Sequence, residues 1–160
     1  MEDILKKESV VRASEALNRF DKNLKVEILE KTAKTAKEAA IALDCEVGAI
    51  VKSLLIKADD SFLLCLVSGD KKCSLKKLKK FTGKKDVCMA NANDVKKITG
   101  YTIGGVSPIG HTTRLKVMID KKLNRFSVIY AAAGHPNSIF KINYQSLVEI
   151  TKGEVLEISE

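Results

Sequence analysis

The sequence has no tryptophan, and only 5% of its 160 residues are aromatic, so its core has to be filled by Val, Ile, Leu and Ala. No stretch approaches the ~18 consecutive apolar residues that a membrane helix needs. The start, Met1-Glu2-Asp3-Ile4-Leu5-Lys6-Lys7, lacks the successive regions of a signal peptide. These absences predict a soluble, cytoplasmic protein with no membrane partner. The four cysteines, at positions 45, 65, 73 and 88, form no C-x-x-C pair, and neither histidine stands at zinc-finger spacing. That pattern argues against a structural zinc site, and no metal or other cofactor is expected. Cys65 sits inside the apolar run Phe62-Leu63-Leu64-Cys65-Leu66-Val67 and is expected to act as a small hydrophobe. Free thiols fit a reducing compartment. Internal repeats and low-complexity linkers are also lacking, and 45% hydrophobic content is enough for one packed core, which predicts a single domain over 1–160.

Positive charge is abundant and unevenly spread. The net charge is +8, and the window from Asp70 to Asp86 alone sets eight lysines against two aspartates. It holds no arginine or tyrosine, and Phe81 is its only ring, so it suits attraction of phosphates better than stacking of bases. The same residues also read as a solvated helix face, with Leu75 and Leu78 turned inward and Lys76, Lys77, Lys79 and Lys80 in water. The two readings are compatible.

Periodicity lays out the elements. Ile4, Val11, Ala13, Leu17 and Phe20 predict an amphipathic helix from Ile4 to Phe20, followed by a short strand from Lys25 to Leu29. Thr35-Ala36-Lys37-Glu38 has capping-box spacing and opens a helix ending near Asp44, whose Ala36, Ala39, Ala40 and Leu43 make a narrow stripe. Ile50 to Ile56 reads as a strand apolar on both faces, and Asp59-Asp60-Ser61 turns it into a second strand, Phe62 to Ser68. After the lysine-rich helix come a strand at Val87 to Ala90 and a helix from Asn91 to Thr99 stopped by Gly100. Strands then follow at Leu115 to Ile119, Phe126 to Ala132 and Ser138 to Ile142. A helix capped by Asn143 runs through Val148, and Val155 to Ile158 forms an edge strand. Helices and strands alternate without a βαβ rhythm, which predicts an α+β fold with a mixed sheet or partial barrel.

Two features stand out chemically. Gly104-Gly105-Val106-Ser107-Pro108-Ile109-Gly110-His111 packs three glycines and a proline into eight residues, which serves either a backbone surface that positions a ligand or a tight connection between strands. Lys52 interrupts an otherwise apolar strand. Such a lysine snorkels at a strand end, pairs with an acid, or projects into a polar cavity.

Three blocks together resemble one known family. They are Thr35 to Ala42 followed by Ile50-Val51-Lys52-Ser53-Leu54, the run from Thr99 to His111, and Ala131-Ala132-Ala133-Gly134-His135-Pro136-Asn137-Ser138. In this order they resemble the YbaK/ProX family, which comprises the editing domain inserted in bacterial prolyl-tRNA synthetase and free-standing relatives that deacylate mischarged tRNA in trans. The likeness runs from about residue 25 to the carboxyl terminus.

The resemblance implies a mixed six- to seven-stranded sheet or partial barrel with flanking helices, and an aminoacyl-tRNA hydrolase as its activity. It implies that Lys52 projects into the active pocket, and that Gly104, Gly105, Val106 and Ser107 supply the catalytic backbone. Ser53, Pro108, Gly110, His111, Gly134, His135 and Asn137 would bind the substrate. Lys71, Lys72, Lys76, Lys77, Lys79 and Lys80 are the candidates for holding the tRNA acceptor end, and a synthetase is a further candidate partner. The third block carries no acidic residue between Gly134 and Phe140, unlike the cysteinyl-specific YbaK branch. This points to alanine, serine or threonine ahead of cysteine as the amino acid removed. The alternative is a non-catalytic tRNA- or nucleotide-binding module of the same fold, and a small-molecule sensor is a third reading. The helix before residue 25 carries no interpretable motif.

Overall fold

The computed structural model describes residues 3–160. A single 3-10 turn, Ile4–Lys6, precedes helix α1, Glu8–Phe20. The backbone at Lys7 is extended, so the helical phase set by Ile4 does not carry into α1. The face it buries is therefore Val10, Ala13 and Leu17, at i, i+3 and i+7, while Val11 and Phe20 stay partly exposed, contrary to the expectation from periodicity. Strand β1 is only Glu27–Ile28. Helix α2, Ala36–Leu43, starts as expected, with the Thr35 hydroxyl accepting the Glu38 N–H at 3.1 Å, and ends at Asp44 in the left-handed region.

Strands β2, Val51–Ala58, and β3, Ser61–Ser68, form the central hairpin, with Lys52 opposite Val67 and Ser53 opposite Leu66. Helix α3, Leu75–Thr82, is capped by Ser74 and closed by Gly83; it buries Leu78. Strand β4, Val87–Met89, and helix α4, Ala92–Thr99, follow, and Gly100 closes α4 at positive φ. Strand β5 is Lys116–Asp120. A 3-10 turn, Lys121–Arg125, then intervenes, and strand β6 begins at Ile129, three residues later than expected, and ends at Ala132 as expected. Strand β7, Ser138–Ile142, helix α5, Tyr144–Thr151, and strand β8, Glu154–Leu156, complete the order.

The strands divide into two sheets, β4-β2-β3-β5-β8 and β1-β7-β6, so the α+β fold with a mixed sheet or partial barrel is as expected, with eight strands in place of six or seven. In the larger sheet β3–β5 and β5–β8 are parallel and the other pairs antiparallel. A lone bridge from Ile50 to Tyr130 joins the sheets at one corner, giving an open, partial barrel. Both faces of the larger sheet are covered, which explains the near-continuous apolar run of β3. Val51, Leu64, Leu66, Val117 and Ile119 face α1 and the smaller sheet. Ile56, Leu63, Cys65, Val67 and Met118 face α3 and the carboxyl-terminal Ile158. No helix among the described residues is long and apolar enough to cross a membrane.

Candidate functional site

Strand β2 is paired to β3 along its whole length but is only partly covered on its other edge. There β4 pairs with Ile56–Ala58, and Tyr130 touches only Ile50. The edge between them opens on a cavity of 360 Å³ walled by residues 50–55, α2, β6 and the stretch from Ile103 to Val106. The cavity exists because its lining is small. Ala36 and Ala39 of α2, Ala33, Ala90, Ala131 and Ala132 all stand on it, so the narrow stripe of α2 leaves room for a ligand.

Strand alternation decides what β2 shows to this space. Leu55 gives its carbonyl to the Ala90 N–H across the partly covered edge. Ser53, two residues earlier, turns its own N–H and C=O the same way, onto the open stretch. Its side chain points to the face shared with Val51 and Leu55, and its hydroxyl is buried without a hydrogen-bond partner. A buried donor left unpaired in a cavity wall costs about 1–3 kcal/mol, which a ligand can recover.

Lys52, one residue away, points to the opposite face, alongside Val67 and beneath α3. It is half-buried, and its ammonium donates to the Lys71 carbonyl. Burial pulls its pKa below the ordinary lysine value, while Cys73 and Asp70 nearby act in the opposite sense. Asp70 is itself fixed. The Arg125 guanidinium grips both its oxygens, at 2.7 and 3.0 Å, and these hydrogen bonds hold its pKa down at about 2. Thus the Lys52 backbone lies in the cavity wall, but its amine does not project into the pocket as expected, because strand alternation turns it toward the loop that follows β3.

The glycine-rich loop closes the other side. Gly104 has φ of 94°, a conformation that favours glycine, and lines the cavity together with Val106. Gly105 is buried against the third block, where an added Cβ would lie 2.9 Å from His135 N and 3.0 Å from its Cα. Ser107 and Pro108 are buried behind the wall. The Ser107 carbonyl accepts a 2.7 Å hydrogen bond from His111 Nε2, which fixes the tautomer. Burial lowers the pKa of His111 below its usual value. Pro108, Gly110 and His111 line a separate, shallower depression beside α1 and α5. In the third block, His135 Nδ1 accepts the Asn137 N–H at 3.0 Å, and Asn137 Nδ2 donates to the Leu29 carbonyl. Gly134, His135 and Asn137 thereby sit behind Gly105, while Ser138 and Ile139 reach the cavity.

On α3, Lys76, Lys79 and Lys80 are exposed, and Lys72 is exposed before it. Lys77 is partly tied down, its amine donating to the Ser159 carbonyl at 2.6 Å, and the Lys71 carbonyl is taken by Lys52. Among the described residues no three His, Cys, Asp or Glu side chains come together as a metal site. Arg12, Ser9 and Tyr101 hold the loops from behind; Tyr101 falls within the second block, but Arg12 and Ser9 carry no signal in the sequence, because hydrogen bonds from a helix to a distant carbonyl leave no local pattern.

Proteins similar to this chain are known by sequence and by structure. A protein of Enterococcus faecalis, named provisionally as the Cys-tRNA(Pro)/Cys-tRNA(Cys) deacylase EbsC, is 29% identical over 126 residues, covering 78% of this chain and 77% of that one. The proline–tRNA ligase of Lactobacillus acidophilus is 36% identical over 107 residues, 67% of this chain but only 19% of the ligase. A crystal structure described provisionally as a trans-editing enzyme for prolyl tRNA synthetase superposes with a TM-score of 0.90 at 35% identity, covering 96% of this chain and 98% of that one. Residues 30–150 match the aminoacyl-tRNA editing domain, and the chain belongs to that family.

Proposed function

We propose that this chain is an aminoacyl-tRNA deacylase that acts in trans on mischarged tRNA and receives the aminoacyl end in the cavity between β2 and the 103–106 loop. The observation that carries this reading is the joint wall itself. One side offers the open β2 edge with the unpartnered Ser53 hydroxyl, the other Gly104 and Val106. An aminoacyl ester is already activated, so the site has to place a water or a ribose hydroxyl and stabilise the developing oxyanion. Of the loop N–H groups expected to serve from Gly104 to Ser107, that of Gly105 is given to the Thr102 carbonyl at 2.9 Å and Ser107 is buried, so Gly104 and Val106 are the proposed oxyanion donors, each worth roughly 3 kcal/mol in a preorganised site.

Lys52 supplies positive charge near the substrate in this reading, from the α3 side of the sheet where the Lys71 carbonyl holds its ammonium; to meet a phosphate or ester oxygen directly, the amine has to leave that carbonyl and turn to the cavity. The exposed amines of Lys72, Lys76, Lys79 and Lys80 carry the acceptor stem by charge attraction, with Lys71 and Lys77 contributing from the same segment. A proline tRNA carrying the wrong amino acid is the natural setting, because the ligase and the structure described as a trans-editing enzyme are both named for the prolyl synthetase.

The cavity also bears on which amino acid is removed. At 360 Å³ it lies at the lower end of the roughly 300–1,000 Å³ typical of ligand pockets. It suits a small aminoacyl group. The expected ranking of cysteine behind alanine, serine and threonine finds no support among the relatives, since the Enterococcus protein is named for cysteine. The unpartnered Ser53 hydroxyl favours a side chain with its own hydrogen-bonding group, serine, threonine or cysteine, over alanine.

The alternative, a non-catalytic tRNA-binding module, is favoured by one observation, the Lys52 amine being engaged by Lys71. Deacylation of alanyl, seryl, threonyl and cysteinyl esters on a panel of tRNAs separates the two, with Lys52→Ala alongside. Hydrolysis with a preference, lost in the variant, supports editing. Binding without turnover supports the module, and indifference to every tRNA overturns both.

A further inference from the structure

Helix α1 lies before residues 30–150, the segment matched to the family, yet it reaches both loops behind the cavity. Arg12 is the centre of this contact. Its Nε donates to the Gly110 carbonyl at 2.6 Å and its Nη2 to the Gly100 carbonyl at 2.8 Å, so one guanidinium holds both ends of the segment from Gly100 to Gly110. The remaining nitrogen, Nη1, is anchored to Glu8 one turn back on the same helix.

The guanidinium carbon Cζ lies over the Tyr101 ring, 4.6 Å from its centre, and the Tyr101 hydroxyl donates to the carbonyls of Ile109 at 2.8 Å and Gly110 at 3.0 Å. His111 packs edge-on against the same ring, 6.0 Å away, and ties back to Ser107. The neck of the loop is thus cross-braced from both sides. Side chains larger than hydrogen do not fit there: a Cβ on Gly100 would lie 2.6 Å from Arg12 Nη2, and one on Gly110 would lie 2.6 Å from the Tyr101 oxygen. Three residues earlier on α1, the Ser9 hydroxyl donates to the Gly134 carbonyl at 2.8 Å, which holds the third block against Gly105.

We propose that Arg12 is a positioning residue of the deacylation site, clamping the neck of the 100–110 loop so that the Gly104 and Val106 N–H groups are fixed before substrate arrives. This rests on the function proposed above. Arginine suits the task because its planar fork serves two carbonyls and an aromatic face together, which a lysine ammonium cannot do. The clamp acts on loop order and on turnover, and it leaves tRNA affinity to the lysines of α3.

The test has two arms on the full chain. In hydrogen–deuterium exchange, Arg12→Ala should lose amide protection across residues 101–111 and 134–138 while β3 and β5 keep theirs. In single-turnover deacylation, Arg12→Ala should lose about 100-fold in rate, the scale of a misplaced site. Its affinity for uncharged tRNA should stay unchanged, Arg12→Lys should fall between the two, and added guanidinium should restore part of the lost rate. Equal loop protection in wild type and Arg12→Ala overturns the clamp, whatever the activity. So does a variant that exchanges throughout the core, together with an Arg12→Lys protein that matches wild type in rate and protection. A wild type that hydrolyses no ester defeats the functional reading, and the exchange arm still decides the clamp.

Discussion

Gly105→Ala is the sharpest single perturbation of the site. Gly105 does not adopt positive φ, so the substitution adds no backbone strain of its own, and its effect is steric. The new methyl would stand 2.9 Å from His135 N, 3.0 Å from His135 Cα and 3.1 Å from the Gly134 carbonyl carbon, against ordinary contacts of 3.4 Å and beyond. All three neighbours are backbone atoms, so no side chain can swing aside. The two loops must separate by about half an ångström, at the ~1–3 kcal/mol typical of overpacking. A 1 Å misplacement costs about 100-fold in rate, so half of that predicts about tenfold. Urea unfolding reads the first figure and single-turnover deacylation the second. Gly83→Ala is the control: nothing lies within 4 Å of its Cβ, and its positive φ alone costs about 1–2 kcal/mol, with no change in rate expected. A Gly105→Ala protein with wild-type stability and rate would refute the account of how the loops meet.

Ser53→Ala removes a buried hydroxyl that has no partner in the free protein, so urea stability should hold or rise. Binding of a seryl or cysteinyl ester should weaken by about 1 kcal/mol, roughly fivefold, and undiminished binding would exclude the hydroxyl from recognition. For His111, burial depresses the folded pKa below that of the unfolded chain, about 6.5, so the unfolded state takes up the proton first as pH falls. Its contribution is complete above about pH 6.5 and is lost as pH drops through the folded pKa. The difference in unfolding free energy between pH 7.5 and pH 5 should therefore shrink in His111→Asn, and an unchanged difference would contradict the assignment. Replacing Lys76, Lys79 and Lys80 by Gln should reduce the slope of log affinity for tRNA against log salt by about 2 to 3. An unchanged slope would move the RNA contact elsewhere.

Much of the local structure was legible because its signals are themselves local. The Thr35 cap, the Asp59-Asp60 turn and the Gly100 stop each depend on residues within a turn of one another, and each forms as expected. The inward face of α1 was misread because the extended Lys7 breaks the periodicity at a residue with no Pro or Gly to announce it. The 3-10 turn Lys121–Arg125 was also missed. It is stabilised from outside, with Arg125 reaching 55 positions back in the chain to Asp70, so neighbouring residues carry no trace of it.

The site divides along the same line. The glycine-rich block and the lysine of β2 were visible as departures from ordinary composition, and both stand on the cavity. The direction of the Lys52 amine was not visible. Alternation places it under α3, and the carbonyl it finds belongs to a loop whose path the sequence does not specify. Arg12 and Ser9 were invisible for the same reason, their acceptors lying 98 and 125 positions away.

The most direct test of the central claim is a crystal structure with a non-hydrolysable seryl or cysteinyl amide of adenosine. The aminoacyl group should lie in the cavity between Ser53 and the Gly104 to Val106 backbone, with its carbonyl oxygen within hydrogen-bonding distance of loop N–H groups. A ligand bound anywhere else on the protein, with this cavity left empty, would contradict the account.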